Sequence, residues 1–288
     1  GDRCEELRAL PQSSRFHRGG LRSVALKKHL LPEERTLTNE FFRNLVTDTV
    51  RMRRETGTSR PDMISLLMEA NMTIDEMIAQ AFIFFLAGFE TSTRLMCFAS
   101  NLLANHPDVQ EKLRREVDDA LGDEDGEVSW ETLGEMRYMD MVIWECLRLY
   151  PPTPVTDRVC RKTYTLPPPM EGSRGVTVES DTSLWIPIYG FHRDPKYFDE
   201  PDRFDPERFS EENRKKIVPY TFAPFGFGPR KCIGERFAVM ETKIVIAHML
   251  RNFVIKPSDK TGKEVTFSKE SFLLGSAEGF WIRLETRQ

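Results

Sequence analysis

Ten residues near the carboxy end, 225 to 234, carry the clearest chemistry in the sequence: F-G-F-G-P-R-K-C-I-G. Cysteine binds metals as its thiolate, and free backbone N–H groups at a helix start favour that form. Cys232 sits just ahead of an apolar, helix-like run from Ile233. Gly228 and Gly234 give backbone freedom and leave no side chain to block a flat macrocycle. Pro229 stiffens the turn. Phe225 can shield the sulfur from water, and N–H donors around it would tune an iron's potential. Arg230 offers a planar fork to a carboxylate. Together these residue types predict Cys232 as a thiolate ligand to a haem iron. The plainer reading is a capped turn with a buried free cysteine, which suits a lone cysteine better than this combination.

Two further clusters could work with it. Ala87-Gly88-Phe89-Glu90-Thr91-Ser92 interrupts a long apolar helix that opens at Ile74. The two small residues let another body approach, and a carboxylate and a hydroxyl then enter an apolar wall. Thr91 can donate to a carbonyl one turn back and open a local distortion. A glycine-relieved packing site with a satisfied threonine is the alternative. Glu145 and Arg148 lie three apart in the apolar helix 139–149. Two buried charges need each other and further hydrogen bonds, so a third partner is expected.

The segment 225–234 matches the haem signature F-x-x-G-x-R-x-C-x-G at every fixed position, and the chain resembles the cytochrome P450 haem-thiolate monooxygenases. The resemblance covers about residues 37–288 through four motifs in the family's order, and is closest to the insect microsomal branch. It implies a mainly α protein with small β-sheets (α+β), the cytochrome P450 fold with its amino-terminal part missing. It implies haem b (iron protoporphyrin IX) as cofactor, with Phe225, Gly228, Arg230, Cys232 and Gly234 around it and Arg158 as a second propionate contact. Residues 87–92 resemble the oxygen-activation motif [AG]-G-x-[DE]-T-[ST], in which Thr91 holds dioxygen and a water and Glu90 relays protons. Glu145 and Arg148 match E-x-x-R, and Arg208 of Pro206-Glu207-Arg208-Phe209 closes a structural network with them. Phe85, Phe89, Thr153, Val155 and a turn at 273–276 with Leu274 resemble pocket walls, all apolar or small, so a lipophilic substrate is expected.

The same resemblance implies electrons from NADPH through a cytochrome P450 reductase, with cytochrome b5 as a further possible partner. Arg230, Lys231, Arg236 and Lys243 would supply a docking patch, although a solvated helix face explains those charges equally well. It implies the endoplasmic reticulum membrane, on the cytosolic face, reached through an anchor that this chain lacks. Two rival readings keep the cysteine: a haem-thiolate isomerase or dehydratase, which would usually lack the Thr91 relay, and a truncated fragment without activity. A helical binding protein would leave four ordered motifs unexplained. The loop 166–179 departs from the family pattern in being proline-rich and somewhat longer.

The totals set the frame for these motifs. The chain has 288 residues, 40% hydrophobic and 30% charged, ordinary for a globular body. A formal net charge of -4 gives no argument for nucleic-acid binding. Cysteines 4, 97, 146, 160 and 232 form no C-x-x-C pair, which argues against a zinc site or a disulfide framework and suits a reducing compartment. The longest apolar run, 77–89, is interrupted by Gln80 and is too short for a bilayer of about 30 Å.

The elements that must position the motifs can be read in order. Residues 1–36 are basic, with a short amphipathic helix possible at 21–31. Helices are predicted over 38–54, from Pro61, and from 74 through the core, the last opened by a Thr73–Glu76 capping box. Further helices start at Pro107, with Gly122 past its end, and after Ser129 as cap. Residues 151–230 hold 13 of the 18 prolines and are read as strand and loop. A hairpin is expected there between strands at 176–178 and 184–188, turning at Ser180-Asp181. His192 is read as a satisfied structural histidine, not a ligand. A helix over 233–250 and a last hairpin turning within 271–278 complete the chain. This divides the partial catalytic domain into a helical part (37–150), a strand and loop part (151–230) and a closing helix with a β tail (231–288).

Overall fold

The computed structural model describes residues 5–8, 32–122, 128–168, 170, 172–262 and 264–287. The expected helix at 21–31 and the acidic loop 123–127 lie outside the described residues. The chain forms two compact units. One contains the described residues of 12–93, and the other those of 1–11 and 94–288.

The first unit is built from α1 (Pro32–Thr56), α2 (Met63–Glu69) and the first part of α3 (Ile74–Asn105). Asp62 caps α2 by accepting from Ser65 N at 3.1 Å. The capping box of α3 forms as spaced: Thr73 N donates to Glu76 at 2.8 Å and Glu76 N donates back to Thr73 Oγ1 at 3.3 Å. Val46, Val50, Met77 and Ala81 form a small core.

α3 departs from its expectation of a wholly buried helix. In its first half Ile83, Phe84, Phe85 and Phe89 are 45–52% exposed. Its second half is sealed, with Leu95, Phe98, Ala99, Leu102, Leu103 and Ala104 all buried. Among the described residues, α1 and α2 supply apolar partners to Met77 and Ala81 on this half of the helix. By length and composition alone α3 is apolar enough to cross a membrane. Its burial from Leu95 onward makes that half a core helix.

The second unit adds α4 (Pro107–Leu121), α5 (Trp130–Glu135), α6 (Arg137–Leu149) and α8 (Glu235–Asn252), with the five-residue α7 (Ile188–His192) between them. α4 buries Val109, Leu113 and Val117 along one stripe and ends at Gly122, whose φ of +60° suits glycine. Ser129 caps α5, accepting from Thr132 N at 3.0 Å. The core gathers α3 from Leu95, α4, α6 and α8 with Ile255 and Leu284 from the closing sheet.

Among the described residues the strands form three small antiparallel sheets. β6 (Phe253–Pro257) pairs with β7 (Trp281–Thr286), Ile255 opposite Leu284, and β1 (Glu5–Arg8) adds to the other edge of β7. β2 (Thr156–Val159) pairs with β5 (Ser183–Ile186), and β3 (Tyr164–Leu166) with β4 (Val176–Val178).

The last two pairings correct the expected hairpin. β4 and β5 are not partners but successive parts of one returning ribbon, and the chain reverses between Leu166 and Val176. Ser180 and Asp181 form a kink in that ribbon, with Asp181 at φ +64° and its N–H donating to Cys160 O at 2.6 Å. Polar turn residues therefore mark a bend within a ribbon, while Pro167 and Pro168 follow the end of β3. In the tail, Phe267 bridges Ser276, so the last reversal falls at 269–274, earlier than expected.

Candidate haem-thiolate site

The cysteine loop is shaped by its own backbone. Gly226 and Gly228 take φ values of +71° and +73°, which a side chain would resist. Cys232 N donates to Phe225 O at 2.9 Å, closing the loop on itself. Gly228–Arg230 forms one 3₁₀ turn, and α8 starts three residues after the cysteine with Gly234 as its cap. A Cβ on Gly234 would lie 3.9 Å from Cys232 Sγ.

This loop presents its cysteine outward. Cys232 is exposed, and so are Phe227, Ile233 and Phe237 around it, Ile233 to 89%. The space where side chains at Gly226 and Gly228 would stand is open. A soft sulfur donor, a bare glycine floor, an apolar rim and the exposed cation Arg230 fit a flat apolar metallocycle bearing carboxylates.

Under the loop lies a sealed support. Phe225 and Phe222 meet the edge of Trp144 on α6, ring centres 6.1 and 6.0 Å away. Glu145 and Arg148, beside Trp144, are fully buried. Arg148 grips Glu145 through two bonds, Nε to Oε2 at 2.7 Å and Nη2 to Oε1 at 2.8 Å. Its remaining donors reach His192 O (2.8 Å), Pro201 O (2.7 Å) and Arg203 O (3.0 Å). Asp205 N donates to Glu145 Oε1 at 2.9 Å, and Arg208 Nε stands 3.4 Å from the same oxygen. Burial pushes the Glu145 carboxyl up, and Arg148, Asp205 N–H and Arg208 oppose that.

His192 joins this support to the cysteine loop, a link that the sequence reading did not anticipate. Its Nδ1 meets Arg148 O at 3.2 Å, and Ala223 N donates to its Nε2 at 2.9 Å. That second bond requires a neutral ring with the proton on Nδ1. Burial pushes its pKa down to about 3, and the Arg148 and Arg193 charges act the same way. The signal was present in F-H-R-D-P, but the partner, two residues before Phe225, is a backbone N–H that no side-chain pattern reveals.

The other candidate residues fall into two groups. In the first unit, Thr91 Oγ1 donates to Ala87 O at 2.6 Å, and α3 stays helical throughout rather than opening. Glu90 precedes it and is half-buried. Phe85 stacks on Phe89 at 5.5 Å and lines a half-open groove of about 430 Å³ with Phe42, Leu45, Val46 and Arg53. In the second unit, Thr153, Val155 and Leu274 are half-buried, and Leu274 N donates to Pro152 O at 2.8 Å, which brings their two segments together. Arg158 bonds within its own strand, to Thr156 Oγ1 at 3.2 Å and Asp157 O at 2.7 Å.

One expected member of the positive patch is elsewhere. Lys243 is 2% exposed, and its Nζ meets Asp140 Oδ1 at 2.6 Å and donates to Leu133 O at 2.8 Å. It fastens α8 to α5 and α6, because its position on α8 falls on the core-facing stripe with Val239, Ile246 and Leu250. Arg230, Lys231 and Arg236 remain exposed, and Lys231 pairs with Glu235 at 2.5 Å.

Comparison with known sequences gives the same direction. The family described as Cytochrome P450 matches residues 26–283. Cytochrome P450 9e2 of Blattella germanica is 46% identical over 291 aligned residues, covering 93% of this chain and 54% of that protein. Probable cytochrome P450 9f2 of Drosophila melanogaster is 40% identical, covering 93% of this chain and 54% of that protein. Cytochrome P450 6j1 of Blattella germanica is 37% identical, covering 84% and 48%. The chain spans about half the length of the curated relatives it matches. A cysteine loop open on one side and propped on a buried E-x-x-R pair, within a match over most of the sequence, places this chain in the cytochrome P450 family.

Proposed function

We propose that this chain is the carboxy-terminal, catalytic portion of a haem-thiolate monooxygenase. The carrying observation is the exposed Cys232 on a glycine-floored, apolar-rimmed loop. Haem b, once bound, supplies the activation of dioxygen and the acceptance of electrons. Cys232 would hold it through a thiolate, and Arg230 and Arg158 would pair with its propionates. Gly228 and Gly234 would leave room for the ring, with Phe225 behind the sulfur.

The chain's own residues would manage protons and orientation. Thr91 gives its hydroxyl proton to Ala87 O, so its lone pairs stay available to accept from a water or another protonated group. Glu90, next in sequence, would pass protons inward by acid–base transfer. Phe85, Phe89, Thr153, Val155 and Leu274 would orient a lipophilic molecule, xenobiotic or endogenous and lipid-like, and exclude water around it. Overall, one oxygen atom enters a C–H bond of the substrate. The other leaves as water with two protons and two electrons from NADPH. Those electrons would arrive through cytochrome P450 reductase, docking near Arg230, Lys231 and Arg236, with cytochrome b5 as a further donor. An endoplasmic reticulum membrane location facing the cytosol is part of the same proposal.

The test is spectroscopic. The chain is loaded with haemin, reduced and exposed to carbon monoxide. A strongly red-shifted Soret band is expected, and Cys232→Ser abolishes it. A folded chain that shows no such band, or only an imidazole-like one, overturns the proposal.

A further inference from the structure

The turn that carries Leu274 is held by a charged side chain from α3. The ribbon that leads to it is laddered at its base, where Ser268 N donates to Gly275 O and Ala277 N to Thr266 O, both at 2.8 Å. Residues 269–274 extend beyond that ladder. Arg94 reaches across to them: Nη1 donates to Leu274 O and Nη2 to Ser271 Oγ, both at 3.1 Å. Ser271 Oγ also accepts from Leu273 N at 3.1 Å, so one hydroxyl organises the bend and receives the arginine. Leu274 N meanwhile donates to Pro152 O, beside Thr153. One helical turn further along α3, Phe98 stacks on Tyr150 at 4.4 Å and meets Phe280 at 4.8 Å. Two side chains of one helix face therefore fix both the 150–155 segment and the final ribbon.

We propose that Arg94 is a positioning residue for substrate selectivity, which rests on the reading of Thr153, Val155 and Leu274 as pocket walls. A planar fork holding two acceptors three positions apart in one turn fixes both its height and its tilt. Without that grip the turn keeps its bond to Pro152 O but loses its tie to α3, and the apolar wall it carries shifts against Thr153 and Val155. Arg94 acts through the turn, so its effect falls on which substrates fit and where they are oxidised.

The experiment compares Arg94→Leu, Arg94→Lys and Ser271→Ala with the parent in the haem-loaded protein. Amide exchange across 271–274 is expected to rise about tenfold or more in Arg94→Leu, the effect of losing charge-assisted hydrogen bonds. KM and the ratio of oxidised products should shift across a series of apolar substrates, while the reduced carbon monoxide band stays in place. Arg94→Lys should restore part of both effects, and Ser271→Ala should reproduce them more weakly. If Arg94→Leu does not fold, the Lys and Ala variants decide. Parental exchange in the variants, or faster exchange with unchanged KM and product ratio, overturns the proposal. A parent without turnover counts against the monooxygenase reading, while the exchange data still decide whether Arg94 holds the turn.

Discussion

The Glu145–Arg148 network and the cysteine loop are neighbours joined through His192, yet they are built on opposite principles. In the network the Glu145 and Arg148 side chains are fully buried and each meets oriented partners, a carboxylate, backbone carbonyls or an N–H. In the loop the glycines leave space and the cysteine and its apolar neighbours face outward. The difference separates two tasks within about ninety residues of sequence. One region fixes the geometry at the cost of burying charge, and the other keeps the cysteine face open.

The sharpest way to break this arrangement is to remove one partner from the sealed side. Arg148→Met strands the Glu145 carboxylate and the carbonyls of His192, Pro201 and Arg203 at once. An uncompensated buried charge of this kind costs about 3–5 kcal/mol. Domains are commonly stable by only about 5–15 kcal/mol, so much of the folded population should be lost. Urea unfolding of the protein checks this, and a midpoint within error of the parent would show that the network is decorative.

His192 gives a milder test of how the two regions are coupled. Its folded pKa, about 3, lies below that of a free histidine, so folding favours the neutral ring. Its contribution is complete above pH 6.5 and falls as pH drops, because the unfolded chain takes up a proton that the folded one refuses. Between pH 6.5 and 5 this amounts to about 2 kcal/mol. His192→Gln keeps an acceptor for Ala223 N–H without titrating, so its unfolding free energy should be flatter over that range. Equal slopes in parent and variant would mean that another group carries the acid sensitivity.

What could be read beforehand follows the range of the forces. Thr73 with Glu76 and Ser129 with Thr132 were legible because the partners lie within a few residues and answer unmet backbone groups, and Pro107 and Gly122 because each marks a helix end by its own backbone preference. The Glu145–Arg148 spacing announced a buried pair for the same reason. Lys243 was misjudged because a charge was assumed to seek water, whereas its place on α8 faced Asp140 and two carbonyls over 100 residues away in sequence. The hairpin at Ser180-Asp181 was misplaced because turn residues cannot say which strand pairs with which. Asp181 instead kinks a ribbon whose partner, β2–β3, had no signal of its own. The exposed first half of α3 is the same lesson in reverse, since apolar composition does not supply the elements that cover it. Phe225, Gly228, Cys232 and Gly234 were legible as one loop, while the hold of Arg94 on the turn of Leu274 depends on 180 residues of intervening fold.

The smallest expected effect on stability is the most telling for the open side. Cys232 is exposed, and the loop around it is shaped by glycine backbone and by its own N–H to Phe225 O, none of which needs the sulfur. Cys232→Ser should therefore change the unfolding free energy of the haem-free protein by no more than about 0.5 kcal/mol, the range of ordinary surface substitutions. The thiolate band with carbon monoxide should nonetheless disappear entirely. A variant destabilised by more than about 1 kcal/mol before haem is added would make the cysteine part of the scaffold. The division of labour between a sealed support and an open reactive face would then fail at the residue where it is drawn most sharply.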